Sequence, residues 1–413
     1  MSHPYTISGI DIGNTTIKTV VVKVDAGALQ PDVIGVGSVP SASALRAGEI
    51  VDMKEASDAL RLSLQQAAAM AGTPVRRAYL SVSGLHISTQ VSKGTIAIGR
   101  ADGEITASDI DRVINTAQVV SLPPNREIIH VIPRDFIIDG TEHVRDPLGM
   151  KGVRLEADVL IVHGLSRHLK NISKCANECG VEVAGYVFAP LAASMAVLDK
   201  HQKEFGVAHL DFGGGTASLT VWDQADMIHS AVMRVGSRHI TNDLAILLKS
   251  SLETAEQIKV QLGVVNERWD RRKKPELVDL SAYMDEPFAV QRRDLMGAIE
   301  ARARELLDMV QEELKKAGKD GLLPAGVVVS GGGSKLPGFA TLARDTLGLP
   351  VKLAKPVGVE AFDAAMDPAF AVAIGLVSWG FAREVGEGRR PIEQSAMGGL
   401  LHSIGQWLKN FLP

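Results

Sequence analysis

The strongest constraint on the fold is a pattern that occurs twice in the sequence. The segments "IDIGNTT" at 10–16 and "LDFGGGT" at 210–216 both bring an apolar run to an Asp-x-Gly turn, and a second strand-like run follows each turn. β-Branched runs that meet at such turns are typical of hairpin strands. The repetition predicts a structural duplication, with two half-domains that each open with a hairpin.

Composition narrows the class of protein. With 413 residues, 46% hydrophobic and 22% charged, the chain is too long for one compact core and has an ordinary globular balance. Lys and Arg number 44 against 48 Asp and Glu, which argues against general nucleic-acid binding. No apolar run approaches the ~20 residues that span a bilayer, and the N-terminus lacks a secretion-signal pattern. We expect Cys175 and Cys179 to be reduced thiols rather than a disulfide or metal site, because no other cysteine accompanies them.

Between the two repeats the pattern changes. Over 85–164 it becomes strand, helix, strand, strand, which predicts an inserted α+β subdomain whose helix begins at Ser108. An earlier helix is predicted from Ser57 to Ala71, with Ser57 as its N-cap. A long helix is predicted over 292–318.

Both Asp-x-Gly turns are candidate phosphate-binding sites. Such a turn exposes consecutive backbone N–H groups, and glycine lets that backbone approach a phosphate closely. Thr15, Thr16 and Thr216 add hydroxyl donors, and Asp11 and Asp211 are suited to hold a hydrated Mg²⁺ between them. Tight hairpins also carry Asp and Gly for conformational reasons alone, so one turn by itself is weak evidence.

A third glycine-rich turn, "VVVSGGGSKLPG" at 327–338, follows a buried-looking strand. Its glycines, Gly331 to Gly333, would let an adenosine lie flat against the backbone, although a strand-to-helix turn that needs positive φ is the simpler alternative. The turn is not a P-loop, since G-x-x-x-x-G-K-[ST] occurs nowhere, and no G-x-G-x-x-G fingerprint opens a Rossmann unit.

The glycine-rich motifs of the chain, taken together, resemble those of a known group of proteins. In order and spacing, "IDIGNTTIK", "LDFGGGTASLTV", "VVVSGGGSKLPGF" and "DPAFAVAIGL" resemble the nucleotide-binding motifs of the actin, heat-shock chaperone and sugar-kinase ATPase superfamily. The segments "PLGMKGVRLEADVLIVHG", "RVGSRHITNDLA" and "TAEQIKVQLG" are similar to the FtsA family of bacterial cell-division proteins. The resemblance covers nearly the whole chain. The sequence departs from the family most clearly in "WDRRKKPELVDLSAYMDEP" at 269–287.

The resemblance implies an ATP site between two lobes of an α/β, actin-like fold. Asp11 and Asp211 would hold Mg²⁺ through water, and either one would position an attacking water in a slow hydrolysis, if hydrolysis occurs. The residues that the resemblance assigns to the nucleotide are Gly13, Asn14, Thr15, Thr16, Lys18, Gly213, Gly214, Gly215, Thr216, Gly236, Glu256, Lys259, Gly331, Gly332, Gly333, Ser334, Lys335 and Leu336. Without the family, Glu256 and Lys259 would pass for a solvated helix pair.

The domain organisation follows from the same likeness. The first lobe is expected over 1–84, continued by 165–198 and 359–382, with the inserted subdomain over 85–164. The nucleotide-binding core of the second lobe is expected over 199–254 and 305–358. An outer subdomain over 255–304 is expected as the candidate partner-binding region, and a flexible linker over 383–398 and a membrane-targeting C-terminal helix over 399–413 are expected to follow.

The C-terminal helix is expected to be amphipathic, with its apolar residues on one face. This face consists of Leu400, Leu401, Ile404, Trp407, Leu408, Phe411 and Leu412. At ~1.5 Å per residue the helix is about 20 Å long, too short to span a membrane and suited to lie in its interface. A helix docked on the protein's own core is the alternative, which the flexible linker and the resemblance disfavour.

The function that the resemblance and the C-terminal helix imply is that of an ATP-binding, actin-like adaptor at the division site. It would polymerise with itself on the cytoplasmic face of the inner membrane and anchor FtsZ filaments, and the inserted subdomain would be the candidate binding site for other division proteins. A small-molecule kinase of the same superfamily is one alternative, but it gives the C-terminal helix no role. An FtsA-related pilus-assembly adaptor is the other, and the helix argues against it less strongly.

Overall fold

The computed structural model describes residues 4–41, 43–265, 276–284 and 286–386. The predicted C-terminal helix and the rest of the predicted linker beyond 386 lie outside the described residues, as do parts of the divergent stretch at 269–287. None of the described helices is long and apolar enough to cross a membrane.

The described strands fall into two large sheets, the sheet of the inserted subdomain and two short ribbons. They are β1 (Tyr5–Ile12), β2 (Thr16–Val24), β3 (Asp32–Pro40), β4 (Leu45–Arg46), β5 (Glu49–Ile50), β6 (Arg77–Val82), β7 (Ser88–Ala97), β8 (Arg126–Ile138), β9 (Glu142–Val144), β10 (Arg154–Leu165), β11 (Glu182–Phe188), β12 (Val207–Phe212), β13 (Ala217–Asp223), β14 (Asp226–Met233), β15 (Leu277–Asp279), β16 (Ala289–Gln291), β17 (Val327–Ser330) and β18 (Val351–Leu353).

The described α-helices pack around these sheets. They are α1 (Met53–Ala71), α2 (Ala107–Gln118), α3 (Ser166–Glu178), α4 (Ala189–Val197), α5 (Lys200–Phe205), α6 (Ser237–Leu248), α7 (Leu252–Leu262), α8 (Arg292–Lys316), α9 (Phe339–Leu347) and α10 (Ala371–Gly386). Single turns of 3₁₀ helix cover Gly332–Lys335, Asp363–Met366 and Pro368–Phe370.

The two large sheets have the same topology, which confirms the predicted duplication. The first sheet has the order β3-β2-β1-β6-β11, and the second has the order β14-β13-β12-β17-β18. In each, three antiparallel strands come first and two parallel strands follow. The hairpin registers pair Asp11 with Lys18 and Asp211 with Ser218, so both acids lie near the turn at equivalent places.

The inserted subdomain has its own antiparallel sheet, with the order β7-β10-β8-β9. Helix α2 packs on this sheet through Ile110, Val113 and Ile114, and these side chains share a buried core with Phe136 and Val159. The predicted strand, helix, strand, strand order is confirmed, while the short strand β9 was not predicted.

Helix α10 packs closely on α4 and on the first sheet. Gly375 allows this approach, since an added Cβ would lie 1.8 Å from the carbonyl oxygen of Ala192. Gly9 in β1 has the same role from the sheet side, because its Cβ would lie 2.6 Å from the Cβ of Leu376. Close packing of this kind fixes the position of the segment that leads into α10.

Several predicted boundaries differ from the structure. The N-cap of α1 is Asp52, whose side chain accepts from the backbone N–H of Glu55, so the prediction of Ser57 as the cap is wrong. Ser57 is buried inside the helix and donates to Glu178. Helix α2 begins at Ala107, and α10 continues to Gly386, four residues into the interval predicted as a linker.

Candidate nucleotide-binding cleft

A cavity of about 510 Å³ lies between the two lobes. Its walls come from the turns after β1 and β12, the glycine-rich turn after β17, the facing sides of α6 and α7, and the segment that leads into α10. The shared topology explains this convergence, because it brings the equivalent ends of β1 and β12 to the same cleft. A volume of this size is typical of small-molecule and cofactor sites.

The two hairpin turns interlock across the cleft. A Cβ on Gly214 would lie 1.6 Å from the Thr15 hydroxyl oxygen, and one on Gly215 would lie 2.7 Å from the side chain of Asn14. Asn14 also accepts a hydrogen bond from the backbone N–H of Gly48 at 2.8 Å. The backbone of the second turn can therefore come this close to the first turn only because Gly214 and Gly215 carry no side chain.

Each lobe fixes its cleft carboxylate in the same way. Ser81 of β6 donates to Asp11 at 2.9 Å, and Ser330 of β17 donates to Asp211 at 2.7 Å. Both serines lie on the parallel strand next to the first hairpin strand. Nε2 of the fully buried His209 lies 2.8 Å from the Ser330 hydroxyl, so the hydrogen bonds around Asp211 continue into the core.

The carboxylates are in an environment that disfavours their charge. Burial raises the pKa of Asp11, although Lys18, 3.8 Å away, and the Ser81 hydrogen bond act against the rise. Burial also raises the pKa of Asp211, to about 6, with the charge of Asp11 adding to the effect and Ser330 opposing it. A cation between these groups would relieve both the desolvation and the mutual repulsion.

The three glycines of the third turn have different roles. Gly331 has φ 84°, and its Cβ would lie 2.5 Å from the carbonyl oxygen of Phe212. A Cβ on Gly333 would lie 2.6 Å from the ring of Phe212. Gly332 alone has open space where its Cβ would be, and it lies on the cavity wall. A flat group can therefore approach the backbone at Gly332.

Helices α6 and α7 bring a hydrogen-bonded group to the cleft. The Lys259 ammonium donates to Glu256 at 2.6 Å, to Thr241 at 2.9 Å and to the carbonyl of Ser237 at 3.2 Å. Burial lowers the pKa of Lys259, and Glu256 opposes the change. The N-terminal N–H groups of Ser237 and Arg238 in α6 donate to the second hairpin turn, which fixes that turn to the helix.

Most of the predicted nucleotide residues lie on the cavity, together with Asp11 and Asp211. They are Gly13, Asn14, Thr15, Thr16, Lys18, Gly213, Gly214, Thr216, Glu256, Lys259, Gly331, Gly332, Gly333, Lys335 and Leu336. Gly215, Gly236 and Ser334 do not line it. Gly215 contacts Asn14, Gly236 packs on Gly214, and the Ser334 hydroxyl donates to the Gly331 carbonyl within the turn.

Sequence reasoning missed several residues of the cleft. Ser38, Gly48, Ser83 and Asp367 line the cavity. Asp367 accepts from Lys335 at 2.6 Å, which holds the lysine at the rim. The two serines that donate to the carboxylates, Ser81 and Ser330, were also missed. A signal for them was available, because "LSVSG" and "VVVSG" each place a serine close to a glycine at the end of an apolar strand.

Two family models match the chain. The "SHS2 domain inserted in FTSA" matches residues 84–163, and "Cell division protein FtsA" matches residues 208–375. The cell division protein FtsA of Pseudomonas aeruginosa is 34% identical over 383 residues, which are 92% of this chain and 90% of the relative. The protein of the same description from Bacillus subtilis is 35% identical over 384 residues, covering 92% of this chain and 84% of the relative.

Solved structures share the fold at lower identity. A PilM-PilN type IV pilus biogenesis complex matches with a TM-score of 0.66 at 18% identity, over 91% of this chain and 98% of the other. MreB5 of Spiroplasma citri bound to ADP matches with a TM-score of 0.55 at 14% identity, over 93% and 99%. These likenesses show an actin-like fold, and the relatives with 30% identity or more show the family. The chain belongs to the FtsA family of actin-like cell division proteins.

Proposed function

We propose that this chain binds ATP with Mg²⁺ in the cleft between its lobes and assembles with itself at the division site. The proposal depends most on one observation, the interlock of two Asp-x-Gly turns from opposite lobes on the wall of one cavity. A phosphate chain bound at these turns accepts hydrogen bonds from both lobes at once. ATP therefore favours the closed arrangement through its differential binding to that conformation.

The rest of the nucleotide fits the remaining walls of the cleft. The open face at Gly332 accommodates a flat adenosine, with Leu336 beside it on the cavity. Glu256 and Lys259 both lie on α7 and supply an acceptor and a donor for the ribose or base edge. The solved MreB5 structures of Spiroplasma citri, described as bound to ADP and to AMPPNP, have the same fold, which supports a nucleotide in this cleft.

Mg²⁺ fits the chemistry of the two carboxylates. Asp11 and Asp211 are buried oxygen ligands whose pKa values are raised, and a hard cation that keeps its waters would be held between them. In a slow hydrolysis, either carboxylate would orient the attacking water, and Mg²⁺ would neutralise charge on the phosphates.

Membrane attachment is the second part of the proposal. The apolar face from Leu400 to Leu412 inserts into the lipid interface on the cytoplasmic side of the inner membrane. Full burial of these side chains gives roughly 10–20 kcal/mol gross, which the entropy of ordering the segment largely offsets at about 1–2 kcal/mol per residue. A single helix therefore binds reversibly, whereas several helices on one polymer bind firmly because later insertions are effectively intramolecular. The polymer then anchors FtsZ filaments at the membrane.

Liposome co-sedimentation of the full chain, with and without Mg-ATP, tests the proposal. A chain that ends at Gly398 should stay in solution, and the full chain should pellet more strongly under conditions that assemble it. Ile404→Glu places a charge on the apolar face and should abolish pelleting, whereas His402→Glu places the same charge on the polar face and should retain it. Equal behaviour of the full and shortened chains would refute the membrane-anchored adaptor and favour the pilus-assembly or kinase alternative.

A further inference from the structure

A cluster of two histidines and one glutamate lies outside the proposed nucleotide site. Glu49, His86 and His168 each offer a ligand atom, and these atoms lie within 4.8 Å of one another. His168 Nε2 is 3.1 Å from the Glu49 carboxylate, and His86 Nδ1 is 3.9 Å from it. Both histidines are 6% exposed, and their rings are 4.4 Å apart.

The histidine rings lack the partners that buried imidazoles normally have. Neither ring nitrogen of His86 has a hydrogen-bond partner among the described residues, and neither does Nδ1 of His168. Buried polar atoms of this kind are rare in proteins unless water, an ion or a ligand satisfies them. A hydrogen bond between His168 and Glu49 alone would leave His86 unsatisfied, so an internal network does not account for the cluster.

The backbone holds the three residues in place. Glu49 follows a tight turn in which Ala47 and Gly48 both have positive φ, and this turn packs against the loop after β6. A Cβ on Gly48 would lie 2.4 Å from the carbonyl oxygen of Ser83. His86 lies in the loop after β6, and His168 lies in the first turn of α3.

We propose that Glu49, His86 and His168 bind a divalent transition-metal ion such as Zn²⁺, with water completing the coordination. At ~2.1 Å from a tetrahedral ion, neighbouring ligand atoms are about 3.4 Å apart. The measured 3.1 Å and 3.9 Å lie on either side of that value. Two imidazoles and a carboxylate select Zn²⁺ and its neighbours over Mg²⁺ or Ca²⁺, which prefer oxygen ligands only. The partly exposed Glu49 side chain gives an ion access to the site.

Nearby charges limit the affinity. Arg167 donates to His168 Nε2 at 3.1 Å, so the ion must displace this hydrogen bond if it uses that nitrogen. Arg126 donates to the carbonyl of His86 and adds a second positive charge nearby. Burial lowers the pKa of His86 to about 4 and also lowers that of His168, which favours the neutral imidazole that binds a metal. We expect one ion per chain, bound more weakly than in a structural zinc site whose imidazoles have outer-shell partners.

The position of the site gives it a structural role. His86 lies just inside the start of the matched inserted domain, 84–163, and His168 lies just after its end. The ion would therefore join the two chain crossings at the base of the inserted subdomain. The neighbouring Gly48 and Ser83 lie on the wall of the nucleotide cavity, so the same ion would also fix part of that wall.

Titration of the full chain with Zn²⁺ against a chromophoric chelator tests the proposal, without nucleotide so that the result is independent of the ATP site. We expect one equivalent of bound Zn²⁺ and, with Co²⁺ as probe, d–d absorption bands typical of nitrogen and oxygen ligands. His86→Asn and His168→Asn should each weaken binding at least ~10-fold. Arg167→Gln should strengthen it, because the competing hydrogen bond is removed.

His201→Asn is the matched control, since His201 is an exposed histidine 3.8 Å from Glu204 and far from the cluster in sequence. It should leave Zn²⁺ binding unchanged. Glu49→Gln alters a partly exposed side chain, so it provides a test even if the buried histidine variants fold poorly. Binding that survives in the His86, His168 and Glu49 variants, or that His201→Asn lowers equally, would overturn the proposal.

Discussion

Replacement of Asp211 by Asn should stabilise the ligand-free protein while removing a group proposed to hold Mg²⁺. Burial raises the pKa of Asp211 from 3.8 to about 6, so the folded protein binds a proton more tightly there than the unfolded chain does. The ionised carboxylate therefore costs stability at neutral pH. A shift of this size corresponds to roughly 3 kcal/mol at about 1.36 kcal/mol per pKa unit.

The pH dependence gives the prediction its sign. Because the folded pKa is raised, the stability associated with Asp211 is highest below pH 3.8 and falls as the pH rises toward 6. Asn cannot ionise, so the free energy of unfolding of the variant should equal that of the wild type near pH 4. The difference in favour of the variant should grow between pH 4 and pH 6 and stay constant above that.

Urea unfolding of both proteins without nucleotide and with a chelator, at a series of pH values, measures this difference. Ser330→Ala is the matched control, because it removes the hydrogen bond to Asp211 and keeps the charge. It should destabilise the protein at neutral pH, by about 1.5–3 kcal/mol for a hydrogen bond to a charged group. An Asp211→Asn protein that is less stable than the wild type at neutral pH would refute the argument.

Two other substitutions test the cleft and the packing that positions it. Gly332→Val fills the open face and should weaken ATP binding at least ~10-fold by calorimetry, whereas Gly99→Val, at an open position outside the cavity, should not. Gly375→Ala should destabilise the protein by about 1–3 kcal/mol in urea, since its Cβ would lie 1.8 Å from the Ala192 carbonyl oxygen. Gly297→Ala, in open space on α8, should instead stabilise the helix by about 0.5–1 kcal/mol, and equal effects of the two alanines would contradict the packing argument.

Local patterns in the sequence predicted the hairpins correctly because their determinants are local. The strands β1 and β12 are largely apolar and end in Asp-x-Gly turns, and both features can be seen within a few residues. The start of α1 was predicted wrongly because its local sequence fits more than one N-cap. Asp52 and Ser57 are both acceptable caps by type, and only the folded position of the first turn distinguishes them.

Contacts between distant segments could not be predicted from local patterns. Thr15 meets Gly214, and Asn14 meets Gly215, across a sequence separation that no periodicity spans. The resemblance assigned Ser334 to the nucleotide, and no local pattern showed that its hydroxyl donates within the turn, to the Gly331 carbonyl. The cluster of Glu49, His86 and His168 was equally invisible, because it forms only in the folded chain, where α3 packs on β5 and the loop after β6 packs against the turn before Glu49.

The duplicated architecture has an energetic consequence for the cleft. Because both halves carry an acid at the same strand position, the cleft holds two carboxylates, and the charge of Asp11 adds to the rise that burial causes in the pKa of Asp211. Lys18 compensates only in part, since burial still raises the pKa values of both carboxylates. A cleft with both carboxylates ionised is therefore electrostatically unfavourable, and the Mg²⁺ that we propose there would offset this cost. On the proposed binding of Mg-ATP between the lobes, this cost would couple ligand binding to lobe closure, and Asp211→Asn should weaken the coupling because it lowers the cost of the closed, ligand-free cleft.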